Sequence, residues 1–393
     1  MDIKGFKFSA VEAAIKKPGR LDLGMIFSDV PAVAAAVFTT NKVKAAPVLL
    51  SIDRVKSGSC RALIVNSGNA NACTGRRGMA DAVESARIAA EQLGIGEEAV
   101  MVSSTGVIGV PMPMERIREA LPSLVQNLGK SSLDDLARAI MTTDTFPKME
   151  VRRGISGGKE YTIAGIAKGA GMIMPNMATM LAFIITDAAV DHSWLQEIFR
   201  TANDSSFNII SVDGDTSTND TALIMANGMA GNPVLKEGSA GAEEFQQLLQ
   251  EILLSLACQI VKDGEGATKF VKILVNGAIS DSEARKAAMA VANSSLVKTA
   301  FFGQDANWGR ILAAVGYSGI KVDQDRLSLW FDDVLMAEGG IFAGGDAEAR
   351  GTEVLQNKEF SVTVDLNLGN GRATVYTSDL SLEYVKINAD YRT

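Results

Sequence analysis

The sequence predicts an α+β fold of the layered αββα type. Three observations carry that expectation. Strand-like and helix-like segments recur along all 393 residues but do not alternate strictly, so a doubly wound parallel sheet fits poorly. Residues 242–262 place Phe245, Leu248, Leu249, Ile252, Leu253, Leu256 and Ile260 at three- and four-residue steps, the spacing of an amphipathic helix. Residues 360–366 alternate apolar and polar, and residues 372–376 follow after Gly369-Asn370-Gly371. That pattern and turn chemistry read as a hairpin.

The other elements follow in order. Residues 61–66 form a short buried strand that ends in a polar loop, Ser67-Gly68-Asn69-Ala70-Asn71-Ala72. Residues 80–93 form an alanine-rich helix stopped by Gly94, since glycine takes the left-handed conformation at a helix end at no steric cost. Residues 100–104 are a strand running into Thr105-Gly106. Residues 114–125 are helical, with Pro113 near the first turn, where proline is tolerated; Pro122 should end or kink that helix. Residues 181–185 are an apolar strand, and residues 270–275 another. Ser280 and Glu283 carry the capping-box pattern that opens a helix reaching about residue 293.

Composition narrows the function. With 47% hydrophobic and 21% charged residues the chain reads as a globular protein able to bury a sizeable core. A net charge of −8 argues against nucleic acid as a partner, because phosphate binding requires clustered Lys and Arg. No apolar run reaches the roughly 18 residues of a membrane span, and no apolar stretch follows a basic start as in a signal peptide. A cytoplasmic protein without membrane contact is therefore expected. Cys60, Cys73 and Cys258 are odd in number and widely spaced, so a disulfide framework or zinc site is not expected and all three read as reduced and mostly buried. The single histidine, His192, opens a helix and reads as a surface residue. A Ser-His-Asp site would have to use it.

The run Lys168-Gly169-Ala170-Gly171-Met172-Ile173-Met174-Pro175-Asn176-Met177-Ala178-Thr179-Met180-Leu181 is the most informative stretch. A glycine-bearing segment ends at a small residue and a threonine, and an apolar strand begins immediately after. Such a chain can cut itself between Ala178 and Thr179. The Thr179 hydroxyl attacks the Ala178 carbonyl, and water resolves the ester. The new terminal threonine needs no histidine, since its own α-amine, with a pKa of about 8, takes the hydroxyl proton. The plainer reading is a buried strand threonine. Cleavage would give an α chain of residues 1–178 and a β chain of residues 179–393, interwoven rather than independent.

Other segments add candidate groups, each with an ordinary structural alternative. Ser103-Ser104-Thr105-Gly106-Val107-Ile108-Gly109 ends a strand in small hydroxyl residues and glycine, which can aim N–H groups and a hydroxyl at a developing oxyanion. Lys168, just before Gly169, can clamp a carboxylate or phosphate, although the phosphate-loop pattern is absent. Glu265, between Gly264 and Gly266, can reach a cationic ligand. Asp213-Gly214-Asp215-Thr216-Ser217-Thr218-Asn219-Asp220 fails as a calcium loop, with Thr218 where glycine is needed and Ile224 where the last glutamate belongs; it reads as a polar loop near the site.

Together these segments resemble the ornithine acetyltransferases of arginine biosynthesis, also called glutamate N-acetyltransferases. The resemblance runs along nearly the whole chain and includes Ala36-Val37-Phe38-Thr39-Thr40-Asn41, Asn66 to Asn71, Met141-Thr142-Thr143-Asp144-Thr145, Asn307-Trp308-Gly309-Arg310 and the terminal Ile387-Asn388-Ala389-Asp390-Tyr391-Arg392-Thr393. It implies cleavage between Ala178 and Thr179, with Thr179 as nucleophile and Thr105 and Gly106 as oxyanion hole. Substrate contacts would fall on one threonine of the Thr142-Thr143 pair, with Thr143 preferred, on Lys168, Thr179 and Glu265, and on Asn388 and Thr393. The implied reaction is ping-pong transfer of acetyl from N-acetylornithine to glutamate, without metal or cofactor. Acetyl-CoA as a second donor stays open. The implied assembly is two α and two β chains, and the implied fold is shared with self-processing aminopeptidases. An amidase that resolves the acyl-enzyme with water, and an uncleaved binding protein, are the alternatives.

Overall fold

A computed structural model describes residues 3–174 and 180–390. Ala178, Thr179 and Thr393 lie outside the described residues. The N-terminal stretch gives β1 (Phe6–Val11), β2 (Leu23–Phe38), α1 (Ala46–Arg54), β3 (Ser59–Asn69), α2 (Gly75–Leu93), β4 (Val100–Val107), α3 (Met114–Gln126), α4 (Leu133–Ala139), β5 (Lys148–Ser156) and β6 (Lys159–Lys168). Next come β7 (Leu181–Thr186), α5 (His192–Asp204), β8 (Ile210–Ser211), β9 (Thr221–Ala226) and α6 (Ala242–Lys262). The remainder gives β10 (Phe270–Ala278), α7 (Asp281–Ala292), α8 (Ser295–Gly303), α9 (Trp308–Gly316), β11 (Ser328–Phe331), β12 (Val334–Glu338), β13 (Ile341–Phe342), α10 (Ala347–Gln356), β14 (Glu359–Asp365), β15 (Gly371–Ser378) and α11 (Leu382–Asp390).

The expected αββα layering is present, and side-chain alternation builds it. Among the described residues, one sheet runs β4-β3-β2-β9-β7-β6-β5 with β1 also on β2. β1 pairs with residues 23–28 of β2, and β9 with residues 33–38. The sheet therefore divides into two stacked layers joined through the 16-residue β2. Leu23, Met25, Ile64, Val100 and Val102 pack with α2 and α3 in one outer core. Ile26, Leu63, Val65, Met101, Leu181, Phe183 and Ile185 fill the space between the layers. Ala182, Ile184, Ala222 and Ile224 turn the other way, onto α5 and α6. Buried on both faces, β7 reads as a continuous apolar run rather than an alternating one.

Local signals set most boundaries. Gly94 is left-handed (φ 65°) and ends α2, with Ile95 N–H returning to the Ala90 carbonyl. α2 begins at Gly75 rather than at residue 80, and α3 runs through Pro122 to Gln126. Proline near the C-terminal end of α3 has removed one hydrogen bond without stopping the helix. His192 is half-buried rather than solvated, and its ring packs on Gly58, where a β-carbon would come within 2.9 Å. Cys60 is buried and Cys258 half-buried, with burial pushing their thiols up to about 12 and about 11. Cys73 is exposed, contrary to the expectation of mostly buried cysteines.

A second sheet of seven strands, β13-β12-β11-β14-β10-β15-β8, carries α7–α10 on one face over its own core. It meets the first unit where Phe270 and Tyr376, stacked 5.5 Å apart, pack on the α5–α6 core. This sheet corrects the expected hairpin. β14 and β15 are not partners: β10 lies between them, parallel to β14 and antiparallel to β15. The link crosses the end of β10, with Leu366 N–H on the Asn276 carbonyl and the N–H groups of Leu368 and Gly369 on that of Gly277. The glycines serve that crossing rather than a tight turn. A β-carbon on Gly369 would lie 2.5 Å from the Ala278 carbonyl oxygen, and one on Gly371 2.3 Å from the Ser280 carbonyl carbon.

Candidate active site

Strand ends of the first sheet converge on one cavity. Thr105 and Gly106 stand near the end of β4, which extends past residue 104 to Val107. β4 runs parallel to β3, with Gly106 opposite Gly68. No side chain fits there. Gly106 has φ 134°, and a β-carbon would sit 2.3 Å from the Gly68 carbonyl carbon and 2.5 Å from Asn69 N.

Lys168 closes β6 opposite Leu181, the first residue of β7. The chain on either side of residues 175–179 therefore lies in adjacent strands. The buried Lys168 Nζ donates to Thr142 Oγ1 at 2.7 Å and to Thr105 Oγ1 at 3.4 Å. Burial lowers its pKa, and Asp144, 4.0 Å away, opposes that shift. Asp144 is held on all sides. It accepts from Thr142 N at 2.9 Å, from Gly169 N at 2.7 Å and from Lys148 Nζ at 2.7 Å. Burial alone would raise its carboxyl, but the Lys168 and Lys148 ammonium groups outweigh it and hold the pKa at about 2. Lys148 is also paired with Asp263 at 2.5 Å, so one buried cation serves two carboxylates.

Glu265 enters from the turn after α6. Its N–H donates to the Ala170 carbonyl at 2.8 Å. Its carboxylate lies over Gly171, where a β-carbon would come within 2.4 Å of Oε2. Asn388 Nδ2, on α11, donates to the same oxygen at 2.7 Å. α11 buries none of its residues. It is held by polar contacts: Asn388 on Glu265, Tyr384 OH on Asp213 at 3.3 Å, and Ser381 Oγ on the Gly266 carbonyl at 2.6 Å just before the helix. Asp213 in turn fixes Met172 N at 2.5 Å and Ile173 N at 2.8 Å. At the start of β7, Met180 N donates to Asp220 at 3.0 Å, and burial drives that carboxyl well above its ordinary range.

Thr105, Gly106, Thr143, Lys168, Glu265 and Asn388 thus line a single cavity. Of the nominated positions, these six come together, and Ala178, Thr179 and Thr393 lie outside the described residues. Thr142 lines the cavity beside Thr143, with its hydroxyl taken by Lys168. The loop 213–220 also reaches it through Asp213, Asp215, Ser217 and Asn219. Sequence reasoning gave no role to Tyr384, Asp144 or Lys148. Only Asp144, inside the Met141–Thr145 segment, carried a usable signal. Among the described residues no cluster of metal-ligating side chains forms, and no helix is long and apolar enough to cross a membrane.

The arrangement offers a buried cation, a buried carboxylate and a strand end with a positive-φ glycine, a setting suited to acyl transfer on an amino acid. The profile of the ArgJ family matches residues 7–393. The chain belongs to the ArgJ family. It is accordingly an acyltransferase of arginine biosynthesis. It is 73% identical over 393 residues to the arginine biosynthesis bifunctional protein ArgJ of Geobacter sulfurreducens, with 100% of both chains covered. The protein of the same name from Syntrophotalea carbinolica is 56% identical, covering 100% of this chain and 99% of its own. Among solved structures, the ArgJ protein of Bacillus halodurans aligns with a TM-score of 0.51 at 40% identity. It covers 53% of this chain and 98% of its own.

Proposed function

We propose that this chain transfers the acetyl group of N2-acetylornithine to glutamate through an acetyl-threonine on Thr179, after cutting itself between Ala178 and Thr179. One observation carries the reading: Thr105, Gly106, Lys168, Glu265 and Asn388 share a cavity beside the strand that begins two residues after Thr179. The charges match the substrate. Lys168 takes the α-carboxylate and Glu265 the side-chain ammonium of ornithine, with Thr143, Asn388 and Thr393 completing the contacts. Thr179 Oγ attacks the acetyl carbonyl while its α-amine takes the proton. Thr105 and Gly106 stabilise the oxyanion, where losing one donor costs about 3–4 kcal/mol. Ornithine leaves, and the glutamate amine attacks the ester. Exclusion of water keeps the acetyl-enzyme from hydrolysing.

The half-length match to the Bacillus halodurans chain, 53% of this chain against 98% of its own, supports cleavage into α (1–178) and β (179–393) pieces. Two of each would form the assembly, in the cytoplasm, with no cofactor. The name "bifunctional" carried by the Geobacter and Syntrophotalea proteins supports a second activity, with acetyl-CoA as donor to glutamate.

An intact mass spectrum after brief exposure to N-acetylornithine tests the reading. Two chains breaking before Thr179, with an acetyl mass on the piece beginning there, are expected. One unbroken, unmodified chain overturns it. Acetate released without glutamate would assign an amidase instead. Thr179→Ala should leave the precursor whole and inactive.

A further inference from the structure

A second cavity opens beside the first. Lys16, Lys17 and Arg20 line it together with Ser67 and Gly68, and Thr142 forms part of its wall. Thr142 also borders the acyl-transfer cavity. It borders a third opening as well, lined by Lys17, Arg20 and Arg138. A basic cleft thus adjoins the reacting site across Thr142, in a chain whose net charge is −8.

The cleft is built rather than incidental. The buried Asp22 carboxylate accepts from Ala13 N and Ile15 N, both at 2.6 Å. That turns the loop so that Lys16, Lys17 and Arg20 border one opening. The Arg20 guanidinium is fixed by Ser67 Oγ at 3.2 Å and by the Met141 carbonyl. Gly68, at φ 99°, lets the loop press close, since a β-carbon there would lie 2.9 Å from Lys16 Cβ. Two carboxylates also line the cavity, Asp22 and Asp390. The first is spent on backbone N–H groups, and the second ends α11, so the helix that brings Asn388 to Glu265 also bounds the cleft.

Three clustered cations suit a polyanion better than a single carboxylate, and neither N-acetylornithine nor glutamate carries a phosphate. We propose that the cleft of Lys16, Lys17 and Arg20 binds the phosphates of a nucleotide-bearing acetyl thioester, whose acyl end reaches the reacting cavity past Thr142. The inference rests on the reading that acetyl-CoA is a second donor. In that half-reaction the acetyl C–S bond breaks as the Thr179 Oγ ester forms. The hydroxyl proton passes through the α-amine to the departing thiolate.

The test compares two thioesters, acetyl-CoA and the phosphate-free S-acetylpantetheine, with glutamate as acceptor. The processed wild type and the Lys16→Gln/Lys17→Gln double variant are measured at low and high salt, with N-acetylornithine run in parallel. The KM for acetyl-CoA should rise about tenfold in the double variant, the loss of one to two charge-assisted contacts. It should also rise with salt in the wild type. The KM for S-acetylpantetheine should follow neither change. If both thioesters respond alike, or neither responds, the cleft is not a phosphate site. If the wild type transfers from N-acetylornithine but from neither thioester, the second-donor reading fails and this site falls with it, while the primary reaction stands.

Discussion

The carboxylate of Asp144 lies 2.7 Å from the ammonium of Lys148, and neither side chain has exposed surface. Lys148 also neutralises Asp263, while Asp144 holds the N–H groups of Thr142 and Gly169. The pair therefore joins the threonine segment to the end of β6 and sets the position of Lys168. Lys148→Met would leave the buried Asp263 without its paired cation and Asp144 with Lys168 alone. A loss of about 3–5 kcal/mol is expected, read as a fall in the urea midpoint. A change under 1 kcal/mol would show that water reaches the pair.

Asp144→Asn removes the charge at nearly constant size, together with one acceptor, since Oδ1 takes Gly169 N and Lys148 Nζ and Oδ2 takes Thr142 N. Asp144 raises the pKa of Lys168 against burial. Removing the charge should move the alkaline limb of the pH–kcat/KM profile to lower pH, since Lys168 would lose its proton earlier. An unmoved limb would mean that Lys168 is not the cation that binds the substrate carboxylate.

Gly106→Ala should be costly for catalysis. The added carbon would meet backbone atoms of Gly68 and Asn69 at 2.3 and 2.5 Å, and backbone cannot swing aside as a long side chain does. β3 and β4 must separate at the point where the oxyanion would sit. A fall of kcat by about a hundredfold is expected, the scale of one lost oxyanion donor, with the circular-dichroism spectrum retained. Wild-type kcat would remove Gly106 from the oxyanion hole.

Glu265→Gln separates binding from processing. The glutamine retains the partnership with Asn388 and loses the charge proposed to bind the ornithine ammonium. The KM for N-acetylornithine should rise about tenfold, while cleavage before Thr179 proceeds. Equal loss of both would make Glu265 a structural residue beside Gly171.

What the sequence revealed and what it hid divide by range. α6 was readable to the residue because its buried positions lie within one helix. The candidate positions stand out because they sit in short, chemically unusual segments: Thr105, Gly106 and Lys168 at strand ends, Glu265 in the turn after α6 and Asn388 on α11. The pairing of β14 and β15 was not readable, because Gly369-Asn370-Gly371 has the same local chemistry in a hairpin as in a crossing over β10. Only the burial of Val271, Ile273 and Val275 between two neighbours separates the cases. Tyr384 was hidden for a similar reason. It lies on an exposed helix without an apolar face, and its importance comes from Asp213, 171 residues away.

Lys298 carries a prediction that reads stability rather than activity. Its side chain is buried under β15, donating to Thr377 Oγ1 at 2.9 Å and to the Ser378 carbonyl. Burial lowers its pKa from 10.5 to about 7, with Asp379 and Asp213 opposing. In the unfolded chain the amine stays protonated up to about 10.5, so between about pH 7 and 10.5 the unfolded state binds the extra proton. The penalty for burying the charge is present in full below about pH 7 and is relieved as pH rises through that window. Unfolding free energy should therefore carry a positive slope from this group between pH 7 and 10, and Lys298→Met should abolish that part of the slope. Thr377 Oγ1 still donates to the Ala292 carbonyl in the variant, so the lost lysine bonds cost little beside the desolvation removed. Urea titrations at pH 6, 8 and 9.5 read the difference. The variant should gain on the wild type most at pH 6 and least at pH 9.5, and a constant gap across the three would show that Lys298 does not titrate in the folded protein.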